Sequence, residues 1–216
     1  MDYRRVYRVL KQHAIDNTAG LAATHPIFAT LETAVLNLSH EVSQKSRITA
    51  SGLSYCVTGF LFVRGRDLSR RVFGITPEHS ELKKGLHDFL YTAAFNAVVG
   101  PIIYRAGGAD WEKTMYGTLI AMGISPFSGF VGGYAIDAAR DLTGVVPPKV
   151  ALPERLPARI RALPACVKRG LYALGIAAGL GLLSMVYAVV PDHKPAVQTP
   201  AKLEQRVEQQ YGNGQK

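Results

Sequence analysis

Residues 114–136 read TMYGTLIAMGISPFSGFVGGYAI, with no Asp, Glu, Lys or Arg. Residues 171–190, LYALGIAAGLGLLSMVYAVV, are the same. A helix that crosses a bilayer needs roughly 17–25 mostly apolar residues, and both stretches meet that length outright. A buried helix of a water-soluble bundle keeps one polar face, whereas these two are apolar all round.

Three further charge-poor stretches lie outside this pair. Residues 17–40 carry only Glu32, and residues 48–63 and 89–104 carry no charge. The last two are short and reach span length only if their terminal residues snorkel or the helices lean on neighbours. The expected fold class is therefore all-α, a polytopic membrane bundle of five spanning helices arranged as two hairpins plus an extra C-terminal helix. The N-terminal Arg4, Arg5, Arg8 and Lys11 resemble the start of a signal peptide, but the apolar segment after them is too long for one.

The whole chain of 216 residues has 25 Lys and Arg against 16 Asp and Glu. The successive connections carry 4, 2, 6, 2, 7 and 4 basic residues. This alternation predicts a cytoplasmic N-terminus and an external C-terminus. It also explains the basic excess without nucleic acid, because the charges flank apolar spans and face anionic lipid. The lipid bilayer is thus the first expected partner, and nucleic acid is not one.

Residues 1–145 form the expected four-helix unit. Residues 146–170 read as a basic, proline-rich cytoplasmic linker, since Pro147, Pro148, Pro153, Pro157 and Pro164 oppose a long helix. Residues 191–216 read as a polar external tail, with at most a short helix at 201–210. Within the four-helix unit the two hairpins could be copies of one unit, the alternative being chance similarity of short motifs. Asp16 and Asp88 precede spans one and three, and Arg66-Asp67 and Arg140-Asp141 follow spans two and four, at offsets of 72 and 74. Same-sense copies would be related by an axis along the membrane normal.

Polar groups at membrane depth are the candidate site. A charged carboxylate within a spanning helix costs about 2.5–3.5 kcal/mol, so Glu32 should face protein or water. His25 lies two turns before it on the same face; the alternative is that Glu32 sits near the external surface, solvated or paired with Arg47. Asp88, Thr92 and Asn96 fall four residues apart and form a polar stripe, followed by Pro101. Glu32 and Asp88 are expected to line a shared polar crevice. Arg66 and Asp67 read as an interfacial pair or part of a gate. Residues Ala121, Ser125, Gly129, Gly133 and Asp137 recur every fourth position and suggest a small-residue packing or oligomer seam. Gly175 and Gly179 repeat the motif. Cys56 and Cys166 are too few for a disulfide scaffold. No metal-ligand spacing, nucleophile motif or phosphate loop occurs, so no metal, cofactor or enzymatic activity is expected.

Taken together these residues resemble the bacterial L-alanine exporter family over about residues 13–145. The most specific part is Gly108-Ala109-Asp110-Trp111, followed by Gly129 to Asp137. Asp16, Glu32, Arg47, Arg66-Asp67 and Asp88 match that pattern in type. The fifth span and tail have no counterpart in that four-span family. The resemblance implies export of L-alanine or another small amino acid across the inner membrane, driven by an ion gradient. A zwitterion needs an anion near its ammonium and a cation near its carboxylate. Glu32 and Asp88 could supply the first, Arg47 or Arg66 the second. Four or five helices make a thin wall around a pathway, so a homo-oligomer is expected. The competing expectation is a non-transporting assembly or scaffold protein whose external tail binds a partner.

Overall fold

The protein is described here from a computed structural model covering residues 3–76, 79–145 and 158–193. Among the described residues all regular structure is helical. Helix α1, Tyr3–Thr30, runs into a π-helical turn at Leu31–Val35. After a tight turn α2, His40–Leu53, passes through a second π turn, Ser54–Thr58, into α3, Gly59–Val72. Helices α4, Glu81–Gly107, and α5, Trp111–Thr143, form a second hairpin. A short α6, Ala158–Arg161, precedes α7, Ala165–Val189.

Among the described residues three helical stretches are long and apolar enough to cross a membrane: Gly85–Gly107, Trp111–Thr143 and Ala165–Val189. The first hairpin falls short of that hydropathy because its helices carry Asp16, Glu32, Glu41, Lys45 and Arg47. Burial is distributed the opposite way from a water-soluble protein. The enclosed side chains include Glu32, Thr33, Ser43, Ser46, Thr114 and Ser125, while the buried apolar ones are mostly alanine. Leu90, Val98, Ile102, Leu119, Phe130 and Leu182 point outward. Helix α7 has no buried residue among those described. Hydrocarbon surroundings reward this pattern, since small residues let backbones approach and large apolar ones cost nothing against lipid.

The two hairpins turn in the same way. Asn37 is left-handed (φ 50°), Leu38 is buried, and Ser39 caps α2 by accepting from the Val42 amide at 3.3 Å. Gly108 is left-handed (φ 94°), Ala109 is buried, and Asp110 caps α5 by accepting from the Lys113 amide at 2.8 Å. The family-like loop motif is thus accounted for by turn chemistry: a left-handed helix end, an apolar plug and an N-cap. Trp111 stays exposed, with the Arg105 guanidinium 4.9 Å from its ring centre.

Register along the hairpins follows the same plan, with two slips. Asp16 matches Asp88 at an offset of 72; Ser39 matches Asp110 at 71; Arg70 and the left-handed Gly74 match Arg140 and the left-handed Gly144 at 70. Each drop of one falls at a π turn of the first hairpin. A π turn holds one more residue than an α turn, so a single inserted residue is absorbed without changing the face. This corrects the sequence expectation that paired Arg66 with Arg140: the counterpart of Arg140 is Arg70.

One boundary also moves. Residues 165–170, expected in the linker, are helical, with Pro164 at the N-cap of α7, a place where proline's fixed φ does no harm. The linker prolines 147, 148, 153 and 157 and the tail from 194, including the short helix expected at 201–210, lie outside the described residues.

Candidate functional site

Glu32 sits in the π turn that ends α1 and is completely buried. Its Oε2 accepts from the Ser43 hydroxyl at 2.7 Å, and its Oε1 accepts from the Arg47 guanidinium. Ser43 and Arg47 are one turn apart on α2, so one helix face presents both to the carboxylate. The Arg47 guanidinium also lies 5.0 Å from the Phe28 ring centre, which desolvates it further. The Tyr104 phenol of α4 faces both ions. Tyr187 of α7 meets the Ser43 hydroxyl at 2.9 Å.

Buried polar atoms without a hydrogen-bond partner among the described residues include Arg47 Nε of the pair itself, Ser46 Oγ beside it on α2, His25 Nε2 on α1 and Thr114 Oγ1 on α5. An unsatisfied buried polar group costs about 1–3 kcal/mol, so these groups mark a candidate site. Helices α2 and α4 come very close here. A Cβ on Gly107 would press on the Ser46 hydroxyl and lie 3.1 Å from both the Ser46 amide nitrogen and the Val42 carbonyl oxygen, so the close approach favours glycine. Outside the buried cluster, Lys45 donates to Glu41 at 2.6 Å and holds its carboxyl below the usual carboxylate range.

Asp88 belongs to a different cluster. It takes a two-pronged contact from Arg70, with Nε donating at 2.9 Å, and lies 3.1 Å from the His87 ring. Sixteen residues of α4 separate it from Tyr104, about 24 Å of helix. The expected shared crevice is therefore not formed: Glu32 and Asp88 stand at opposite ends of the bundle. The physical reason is topological, because Glu32 ends a helix entering one way and Asp88 begins one entering the same way. Thr92 donates to the Asp88 carbonyl at 2.7 Å instead of extending a polar stripe. Asn96 donates to Ser125 Oγ at 2.8 Å and to the Ala121 carbonyl at 3.3 Å, within its own hairpin.

The Asp88 pair has a twin. Arg140 Nε donates to Asp16 at 2.8 Å and its Nη2 to the second oxygen at 2.5 Å. Asp137 lies 3.8 Å from Arg140 Nη1. Arg66 has a buried Nε without a hydrogen-bond partner among the described residues. Asp67 lies on α3, and its side chain is outside the described residues.

The small-residue series divides. Ala121 and Ser125 are buried, but nothing lies within 4 Å of a Cβ built on Gly129 or Gly133. A four-residue step turns an α-helix by 400°, so such a series drifts 40° per step and leaves the seam. Gly132 takes over, with a Cβ position 3.2 Å from Thr24 of α1. On α7 only Gly179 makes a close approach, at the Ala22 backbone, while Gly175 is open.

Ser43, Tyr104, Tyr187 and Arg70 escaped the sequence reading. Tyr104 carries a signal in retrospect, since it follows Glu32 by the repeat offset of 72. Comparison with protein-family models, curated proteins and solved structures finds no match to this chain.

Proposed function

We propose that this chain is a five-span membrane transporter, with its N-terminus cytoplasmic, that exports a small zwitterionic amino acid. L-alanine is the substrate to which the motif resemblance points. The observation that carries the reading is the buried Glu32–Arg47 pair with its unsatisfied neighbours. Breaking a buried ion pair by taking one partner costs about 3–5 kcal/mol. A zwitterion avoids that cost, because its ammonium replaces Arg47 at Glu32 and its carboxylate replaces Glu32 at Arg47. Arg47 Nε, Thr114 and Ser46 supply further polar contacts. Protonation of Glu32 would release the ammonium and couple export to a proton gradient. The basic clusters at alternate connections and the outward apolar side chains support the membrane setting.

Two spans fall short of full hydropathy in this reading. Of their charged groups, Glu32 and Arg47 are enclosed in the bundle and Asp16 is paired with Arg140, where protein takes the place of water, while Glu41 and Lys45 pair at the exposed surface. The test is counterflow in proteoliposomes with a panel of small amino acids. Accumulation of labelled alanine by the wild type and its loss in Glu32→Gln is expected. No accumulation of any amino acid would reject the transporter and leave the scaffold reading.

A further inference from the structure

Helix α7 lies outside the repeated unit, yet it reaches the buried cluster on one side only. It packs along the first hairpin at three levels. Near its start Tyr172 faces Thr18. At its middle a Cβ on Gly179 would fall 2.4 Å from the Ala22 carbonyl oxygen, so the two backbones touch. At its end Tyr187 meets Ser43 and stacks edge-on against His40 at 5.4 Å between ring centres. Beyond the helix, the Val190 carbonyl lies 3.0 Å from His40 Nε2, and Asp192 accepts from the His40 amide at 2.9 Å.

The repeat shows what this contact does. Ser43 and Thr114 are equivalent, 71 residues apart, and both are completely buried. Thr114 Oγ1 has no hydrogen-bond partner among the described residues. Ser43 has two, Glu32 and Tyr187. A serine hydroxyl owns one proton, and Ser43 donates it to the Glu32 carboxylate. The Tyr187 hydroxyl must therefore be the donor to Ser43. The chain of donation runs from α7 through α2 to the carboxylate.

We infer that Tyr187 is a positioning residue of the Glu32 site. By donating to Ser43 it fixes the Ser43 hydroxyl on Glu32, so α7 is a wall of the site and not an appendage. It also selects which of two equivalent half-sites is polarised, since Thr114 receives no such contact. The inference rests on reading Glu32 as the substrate-binding carboxylate, but its hydrogen-bond chain is testable without transport.

The experiment uses the full chain in nanodiscs with Tyr187→Phe, Ser43→Ala and the double variant. The infrared carboxyl band of Glu32 is identified by its disappearance in Glu32→Gln. Tyr187→Phe is expected to shift that band in the same direction as Ser43→Ala, and the double variant to add nothing to Ser43→Ala. In counterflow, Tyr187→Phe is expected to raise KM about threefold to tenfold with little change in maximal rate, and to move the pH profile. A band left unchanged by Tyr187→Phe, or additive shifts in the double variant, would overturn the inference. A shifted band in a protein that transports no amino acid would keep Tyr187 as the positioning residue and remove the exporter reading. Phenylalanine preserves the ring, so folding is checked by an unchanged elution volume in detergent.

Discussion

Glu32 and Tyr104 occupy equivalent places in the two hairpins, 72 residues apart, and their side chains face one another in the bundle. The first position is an acid and the second a phenol. The same contrast separates Arg47 from its counterpart Thr118, both buried. Among the described residues the buried charged pair thus belongs to the first hairpin, and the matching positions of the second carry a phenol and a hydroxyl.

The pair should be costly to break and cheaper to remove whole. Arg47→Met leaves the Glu32 carboxylate buried without its cation, and should lower unfolding stability by about 3 kcal/mol. The double variant Glu32→Gln/Arg47→Met should recover more than half of that loss. Thermal unfolding in detergent measures both. Equal losses in the single and double variants would mean that Arg47 is needed for packing and not for charge.

Reciprocal pairing at the other end makes a second prediction. Asp16 of the first hairpin binds Arg140 of the second, and Asp88 of the second binds Arg70 of the first. A two-fold relation between the hairpins demands this exchange, in which each contact implies its mirror partner. All four side chains are partly exposed, so each pair should contribute only about 1 kcal/mol. Asp16→Asn and Asp88→Asn should cost alike. The exchange Asp16→Arg with Arg140→Asp should restore stability that Asp16→Arg alone destroys.

Glycine substitutions separate contact from coincidence. Gly107→Ala places a methyl group against Ser46 and the Val42 carbonyl, at 2.1 and 3.1 Å, and should destabilise the chain by about 2 kcal/mol. Gly129→Ala and Gly133→Ala meet nothing within 4 Å and should leave the protomer's melting temperature unchanged. If those glycines form a seam between copies, bulky Gly129→Leu should alter the crosslinked oligomer pattern alone.

Much of this architecture was readable from missing charge. The apolar runs at 114–136 and 171–190 mark α5 and α7, and the cost of a buried carboxylate singles out Glu32. Glu32's link to Arg47 was within reach, because both lie near the same turn. The slips in register were not. A π turn has no composition of its own, so the offset falling from 72 to 70 is invisible until helices are paired, and the sequence alone aligns Arg66 where Arg70 belongs. The series through Gly129 misled for a related reason, since a four-residue repeat does not follow a 3.6-residue helix. Asp88 reads as a pathway residue from its own helix alone, because the arginine that α3 brings to it comes from a separate helix.

Sidedness can be read with single cysteines. The native Cys56 and Cys166 are exposed and must first be replaced. In intact cells an impermeant maleimide should label a cysteine at Asn37 or Glu112 and spare one at Gly74 or Gly144. The reverse pattern would invert the topology and turn the Glu32 end toward the cytoplasm.

Direct binding tests the central claim, that the Glu32–Arg47 pair opens to receive both ends of an amino acid. Calorimetric titration of L-alanine into the full chain in nanodiscs should give saturable heat for the wild type. Glu32→Gln should weaken binding at least tenfold, and alanine amide, which lacks the carboxylate, should bind no better to the wild type than L-alanine binds to that variant. Undiminished L-alanine binding by Glu32→Gln, or equal binding of the amide and the acid, would contradict it.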